Sequence, residues 1–414
     1  MTSRNNMRAC IQPERPVRPI LHVIDSLNCG GAQELLVRLA RLTPHDVHPT
    51  SVAVIQPAAG ILKMLKSTGA RVHCLNRQRP SILDPFHFLG YVLGVIGDVR
   101  RICRLENIAI LHCHLSDAEF LGILAGRLSR VEWVLDTVHT PFLLPARRMG
   151  DPRTALRKLL TRWVLNMADW VVAVSDETAG NLESLGVDPR RIRVVENGID
   201  VPAYDVPADP SLLRSLGLDT GQRILVMVAR LSEPKGHIHM IDAMPDVLAR
   251  FPDARLLLLG DGELRGSLMN RVQALGLADS VLFLGVRPDV PAVLALADVF
   301  VFPSLWEGTS LALLEAMGSA RPIVASYIDG NRHLLTDGRD CLLVPPGQPG
   351  PLCAAVIRLL EDRGLAADLG ARARRVALER FDIRVMLAAY ERLWMAQPVL
   401  QGDRRDVGDW RGRE

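Results

Sequence analysis

From Pro19 onward this chain keeps a rhythm that few folds can accommodate. Short runs of β-branched and aliphatic residues alternate with longer segments of helical periodicity: ILHVID then GGAQELLVRLARL, TSVAVI, ARVHCL, IAILHCH then DAEFLGILAGRL, WVLDTV, and WVVAVS then DETAGNLESLG. Continuously apolar runs read as strands buried on both faces, and strands separated by helices are joined by crossovers, so the pattern predicts βαβ units in a parallel sheet. Proline and aspartate break the rhythm at VPAYDVPADPSLL, and it then restarts with RILVMV, RLLLLG, VLFLGV, VFVFPS, RPIVAS and DCLLVP. At 414 residues the chain exceeds what one core usually serves. The expectation is two doubly wound α/β domains, residues 19–204 and 205–382. A flexible lead over 1–18, a last helix over 383–399 that crosses back to the first domain, and a polar, disordered tail over 400–414 complete the layout.

Bulk chemistry removes several function classes. A formal net charge of +3, with no basic run interleaved with aromatics, gives no footprint for nucleic acid. The seven cysteines are scattered and never spaced C-x-x-C, which argues against a disulfide framework or a structural zinc site and fits a reducing cytoplasm. The N-terminus MTSRNNMRACIQPERPVRP lacks the apolar run of a signal peptide, and no apolar stretch approaches the ~20 residues that span a bilayer.

Open parallel sheets bind ligands beyond the carboxyl ends of their strands, so chemistry is sought just after each strand. Gly30 and Gly31 follow the first strand at a helix entry, where backbone amides can approach an anion; a tight turn without ligand is the plain alternative. Arg230 and Lys235 follow the first strand of the second half in ARLSEPKGH, able to close on a diphosphate or to form a solvated basic loop. Lys63, Lys66, Lys158 and Lys235 are the only lysines among 49 basic residues. In PSLWEGTSLALLEAM, Glu307 stands in a strand-to-helix turn, Thr309, Ser310 and Leu311 offer amides at the helix start, and Glu315 lies further along. A rise of about 1.5 Å per residue puts Glu315 roughly 6 to 8 Å from those amides, the span from a diphosphate to a ribose. The plain alternative is a first-turn glutamate favourable to the helix dipole plus an exposed helical one.

Two other patterns are weaker. Gly260, Gly262 and Gly266 in LLLLGDGELRG are spaced G-x-G-x-x-x-G, and the next strand ends in glycine where a nicotinamide fold has an acid. His112 and His114 flank Cys113 on one strand face as a candidate metal pair, with no third ligand nearby in sequence; they read as core or cleft histidines.

PSLWEGTSLALLEAMGSARPIVAS resembles the E-x7-E signature of family 4 retaining glycosyltransferases, and GGAQ, HCH, DTVHT, VAVSDET, VVENGID, ARLSEPKGH and LLLLGDGELR fall in that family's order over about residues 19–398. The resemblance implies the GT-B fold, two facing Rossmann-like domains with a cleft between an N-terminal acceptor side and a C-terminal donor side. It implies that Arg230 and Lys235 bind the diphosphate of a UDP- or GDP-type nucleotide-sugar, with Gly30, Gly31, Thr309, Ser310 and Leu311 beside it. Glu315 would bind the ribose, Glu307 the transferred sugar, and His139 of DTVHT would lie near the reacting centre. The sugar would pass with retained configuration to a carbohydrate or lipid-linked acceptor in polysaccharide, lipopolysaccharide or glycolipid assembly. No D-x-D triplet is present, so no metal or other cofactor is expected. This chain departs from the family pattern at IDGNRHLL, with Asp329 for a glycine and His333 for an acid, and at Thr309 and Ser310, all beside the sugar subsite.

Two alternatives remain at this level. A retaining glycoside hydrolase would use Glu307 and Glu315 as a carboxylate pair about 5 Å apart. A non-catalytic nucleotide-sugar sensor would need Arg230, Lys235 and Glu315 but not His139 or Glu307. Over about 147–164, Leu156, Leu159, Leu160, Trp163 and Val164 share a helical face flanked by Arg147, Arg148, Arg153, Arg157, Lys158 and Arg162. Such a basic amphipathic helix fits either core packing or docking at the cytoplasmic face of a membrane.

Overall fold

The structure is a computed structural model that describes residues 17–28, 31–57, 60–81, 83–139 and 152–395, the side chains of 152–154 excepted. Residues 1–16 of the lead expected over 1–18, Gly30, Arg147, Arg148, the Arg153 side chain, and the end of the last helix and tail over 396–414 lie outside the described residues.

Two parallel sheets form, one from each half of the rhythm. The first contains β1 (Ile20–Ile24), β2 (Thr50–Val54), β3 (Arg71–Cys74), β4 (Ile110–His114), β5 (Trp133–Val138), β6 (Trp170–Ala173) and β7 (Ile192–Val194), in the order β3-β2-β1-β4-β5-β6-β7. The second contains β8 (Arg223–Val228), β9 (Ala254–Leu259), β10 (Val281–Gly285), β11 (Val299–Phe302), β12 (Ile323–Ser326) and β13 (Leu342–Val344), in the order β10-β9-β8-β11-β12-β13. Each order reverses direction once, between β1 and β4 and between β8 and β11, and that reversal opens a crevice at the carboxyl ends. β7 is the strand that the rhythm does not announce, because three residues are too few to show a period.

Helix Ile383–Met395 lies on the first sheet, not the second. Met386, Tyr390, Leu393 and Trp394 are buried there with Ile20, Trp133, Leu135 and Trp170. The division between domains falls earlier than the expected boundary at 204/205, since Ile199, Val201 and Tyr204 already pack in the second core with Phe300, Leu313 and Phe381.

The two faces of the first sheet differ in polarity. The face under helix Ile383–Met395 carries His22, His112, His114 and Thr137. The opposite face carries Cys113 and Asp136 against helix Ser116–Ser129, whose Glu119 is also buried. Burial, reinforced by neighbouring carboxylates, pushes Asp136 well above the usual carboxylate range and Glu119 up to about 8, and both Asp136 oxygens lack a hydrogen-bond partner among the described residues. Burial therefore favours the protonated form of Asp136. A carboxyl with a raised folded-state pKa costs progressively more stability as pH rises from its unfolded value toward its folded one. Asp136→Asn removes that titration, so its stability relative to the parent should rise with pH by up to about 1.4 kcal/mol per unit above about pH 4. Urea unfolding at pH 5 and pH 7 measures this; equal differences at the two pH values would count against a protonated Asp136.

Candidate functional site

In the second domain the site is built where β8 and β11 separate. β8 runs into Ala229 and Arg230, a tight turn over Glu233–Lys235, and Gly236 at a left-handed φ of 67° that starts helix His237–Arg250. Lys235 Nζ donates to both oxygens of Glu307, at 2.6 and 2.7 Å, from the turn after β8 to the loop after β11. The Glu307 side chain is 8% exposed, so this ion pair is largely shielded and more than a surface contact. Arg230 is set apart from it, 71% exposed and paired with Glu263 at 3.0 Å. The two cations expected to close on one ligand are thus held by different carboxylates.

The glycines of LLLLGDGELRG have a structural reason here. A β-carbon on Gly260 or Gly262 would overlap the carbonyls of Ala229 and Leu231, so the loop after β9 can lie against the backbone that carries Arg230 only if both lack side chains. Gly330 does the same for the Glu307 loop: a β-carbon there would stand 2.5 Å from the Glu307 carbonyl oxygen and 2.6 Å from that of Gly308. Of the departures noted in the sequence, Asp329 pairs with Arg332 at 3.2 Å, and His333 turns to Glu196 at 2.6 Å, where Arg380 also binds at 2.8 Å.

The first domain supplies the facing wall. Helix Gly31–Leu42 begins against the second domain, with Leu311 Cδ1 3.4 Å from where a β-carbon on Gly31 would sit. About two turns later, Arg38 Nη2 donates to Glu315 Oε1 at 2.9 Å, while Glu34 stands 3.6 Å from the same guanidinium nitrogen. Burial and the adjacent Glu315 carboxylate raise the pKa of the Tyr204 hydroxyl, so it stays a donor. The Thr309 hydroxyl donates across the same boundary to the Val174 carbonyl at 3.2 Å. Ser310 occupies the N-cap position of helix Leu311–Gly318 without its side chain capping it. Gly31, Thr309, Ser310, Leu311 and Glu315 therefore gather at the domain junction.

His139 follows β5 at the carboxyl end of the first sheet, half-buried, and burial pulls its pKa down to about 4. Its Nε2 meets His114 Nδ1 at 3.3 Å, and His114 Nε2 meets His22 Nδ1 at 3.1 Å. His112 Nε2 meets the Thr137 hydroxyl at 2.7 Å, which in turn lies 3.1 Å from the Tyr390 hydroxyl. His22 is the third histidine that local sequence did not offer; only the register His22↔His112 between β1 and β4 brings it in. Nitrogens of His22, His112 and His114 lie within 4.8 Å of one another. His114, however, uses both of its nitrogens on other histidines, and the trio contains no acid to offset a divalent charge, so the cluster suits a hydrogen-bond network better than a metal centre. Arg38, Tyr204 and Gly330 also escaped the sequence reasoning. Each gains its role from a partner far along the chain.

Known proteins place this geometry in a family. The profile described as Glycosyltransferase Family 4 matches residues 30–202, and that described as Glycosyl transferases group 1 matches 222–362. The chain is 30% identical over 289 residues to the UDP-Gal:alpha-D-GlcNAc-diphosphoundecaprenol alpha-1,3-galactosyltransferase of Escherichia coli, covering 66% of this chain and 73% of that one. It is 33% identical over 381 residues to the phosphatidyl-myo-inositol mannosyltransferase of Mycolicibacterium smegmatis, covering 88% and 90%. The crystal structure of Anabaena HepE in complex with UDP superposes with a TM-score of 0.75 at 24% identity, over 91% of this chain and 99% of that one. The hydrolase and sensor alternatives gain no support from these likenesses. With its two facing parallel-sheet domains and both halves matched in order, the chain belongs to glycosyltransferase family 4 and is a glycosyltransferase of the GT-B fold.

Proposed function

We propose that this enzyme moves a sugar, with retained configuration, from a UDP- or GDP-type nucleotide-sugar to a hydroxyl of a carbohydrate or lipid-linked acceptor, in polysaccharide, lipopolysaccharide or glycolipid assembly. One observation carries the proposal: Lys235–Glu307, at the strand-order reversal of the second sheet, and Arg38–Glu315, across the domain boundary, flank the start of the same helix, Leu311–Gly318. Support for the donor class comes from the UDP in the HepE complex and the UDP-Gal in the name of the Escherichia coli relative. The acceptor class follows the lipid-linked acceptors in the names of both relatives.

In this scheme the nucleotide lies along helix Leu311–Gly318. Glu315 accepts the ribose hydroxyls, and the amides of Thr309, Ser310 and Leu311 meet the diphosphate together with the Gly30 and Gly31 loop from the other side. As the glycosidic bond loosens, negative charge grows on the departing diphosphate. Lys235, tethered to Glu307, and Arg230, swung from Glu263, are positioned to stabilise it without reorganising at the moment of reaction. The diphosphate, on the same face as the incoming hydroxyl, takes the acceptor proton. Glu307 and His139 hold the sugar. With two cations on the diphosphate, no metal is assigned a role.

Replacing Lys235 with alanine should lower kcat with the nucleotide-sugar by about 10²- to 10³-fold. Glu315→Ala should instead raise the donor KM, because a ribose contact is made equally in ground and transition states. Steady-state kinetics with a donor panel separates the two, and a Lys235→Ala enzyme of parental kcat would refute the diphosphate assignment. Turnover in excess EDTA should match turnover without it, and the product's anomeric proton coupling should report the configuration of the donor. Strict magnesium dependence, or inversion, would refute the corresponding part of the scheme.

We further propose that the acceptor is met at a membrane surface, through helix Pro152–Leu165. Leu156, Leu159, Leu160 and Trp163 are between 46% and 60% exposed beside the exposed Arg157, Lys158 and Arg162, whereas Val164, expected on the same face, is buried in the core. Helix Pro85–Leu105 packs against the same neighbour, Ser116–Ser129, and exposes Phe86, Leu89 and Leu93. Among the described residues no helix is long and apolar enough to cross a membrane. Co-sedimentation with vesicles containing anionic lipid should exceed that with zwitterionic vesicles, and should weaken by about 1 kcal/mol per cation when Arg157 and Lys158 become glutamate. Unchanged sedimentation of that variant would remove the docking role.

A further inference from the structure

The four clustered histidines of the first domain are not needed for packing alone. Val or Leu would fill the same face without the cost of burying polar rings. Three of them form a chain with a fixed order: His139 Nε2 to His114 Nδ1 at 3.3 Å, His114 Nε2 to His22 Nδ1 at 3.1 Å. His22 is wholly buried, and its remaining nitrogen, Nε2, has no partner among the described residues. Beyond His22 the chain stops.

A dead end cannot conduct protons, but it can orient them. Burial lowers the pKa of every ring, to about 3 for His22 and about 4 for His139, and well below the usual value for His114, so at neutral pH each is uncharged. A neutral imidazole carries one N–H and one lone pair, and only two arrangements along the chain keep both hydrogen bonds. If the protons point inward, His139 Nε2–H donates to His114, His114 Nε2–H donates to His22, and the Nε2–H of His22 is a buried donor with nothing to receive it. If they point outward, His22 Nδ1–H donates to His114, His114 Nδ1–H donates to His139, and His22 is left only with a bare lone pair. An orphaned buried N–H is the rarer and costlier defect. The outward arrangement is therefore favoured, and it puts the proton of His139 on Nδ1.

We propose that His114 and His22 are positioning residues that fix His139 in its Nδ1–H tautomer, so that His139 serves the reaction as a hydrogen-bond donor to a sugar hydroxyl and not as the base that deprotonates the acceptor. The proposal rests on the placement of His139 beside the bound sugar. His112, on the same face, lies outside the chain: its Nε2 meets Thr137, and its unpartnered Nδ1 is again the cheaper orphan as a lone pair. The same preference thus assigns protons to both buried branches.

Two measurements separate the tautomer lock from the role of His139. Long-range 15N–1H correlation on the full-length protein labelled at histidine reads the tautomers directly, without any substitution. His139 should be protonated on Nδ1, and His22 should carry a protonated Nδ1 and a bare Nε2. His139 found as an Nε2–H tautomer or as an imidazolium at pH 7 overturns the proposal. Kinetically, His114→Phe removes the donor to His139, while His114→Asn keeps an amide N–H near the position of Nδ1. The phenylalanine variant should lose about tenfold or more in kcat, as a small misplacement near the reacting atoms does. Its donor KM and its stabilisation by UDP should stay at the parental values, and the asparagine variant should recover most of the loss. Equal losses in both variants point to packing and overturn the lock. If His139→Ala turns over like the parent while the tautomers are as stated, the placement of His139 beside the sugar is what fails.

Discussion

The chain passes between the two domains twice, and the two passages are tied to each other. The Ile199 amide donates to the Phe381 carbonyl at 2.9 Å, and the Ile383 amide donates to the Ile199 carbonyl at 2.8 Å. Gly198 lies so close to the Ile383 backbone that a β-carbon would stand 2.8 Å from its Cα. Two crossings bonded as a short parallel pair resist splaying far more than one linker would. Tyr204, just beyond it, reaches Glu315; Glu196, just before it, holds His333 and Arg380. The paired crossings and the junction around Glu315 therefore share neighbouring residues, which couples the domain boundary to that carboxylate.

Within that frame the site's charges are mutually engaged. Breaking a shielded ion pair by removing one member leaves the other uncompensated, so a single substitution at Lys235 or Glu307 perturbs both binding and stability, and a double-mutant cycle is the clean way to apportion them. The same pairing explains why Lys235 need not be pre-aimed at open solvent. Its ammonium is held instead by both oxygens of Glu307. Arg230, exposed and held only by Glu263, is the freer of the two cations.

Much of this was legible in one dimension because the features are local. Parallel strands show as apolar runs, and an acid in a turn plus an acid one helix turn further is visible as Glu307 and Glu315. What sequence could not give were partners chosen by topology. Arg38 reads as an ordinary helical cation until the fold brings it across 277 positions to Glu315. His22 reads as one polar residue in a strand until β1 pairs with β4. His333, read from sequence only as a departure from the family pattern, gains a partner 137 positions away in Glu196, beside the paired crossings. The glycines of LLLLGDGELRG invited a nucleotide reading for a related reason: close backbone approach and phosphate binding both demand glycine, and only the neighbouring strand tells them apart.

The first sheet shows how stability and site chemistry are divided between two faces of one layer. On one side burial pushes Asp136 and Glu119 toward their uncharged forms, and on the other it does the same for four imidazoles. The two sets respond to pH in opposite senses. A carboxyl with a raised pKa favours the folded state as pH falls, whereas a histidine with a lowered pKa favours the unfolded chain once pH drops below its ordinary value near 6.5. Between about pH 4 and 6.5 the two sets partly cancel, since unfolding takes protons up on the imidazoles and releases them from the carboxyls. A sheet built with only one of these faces would have a steeper dependence on acidity.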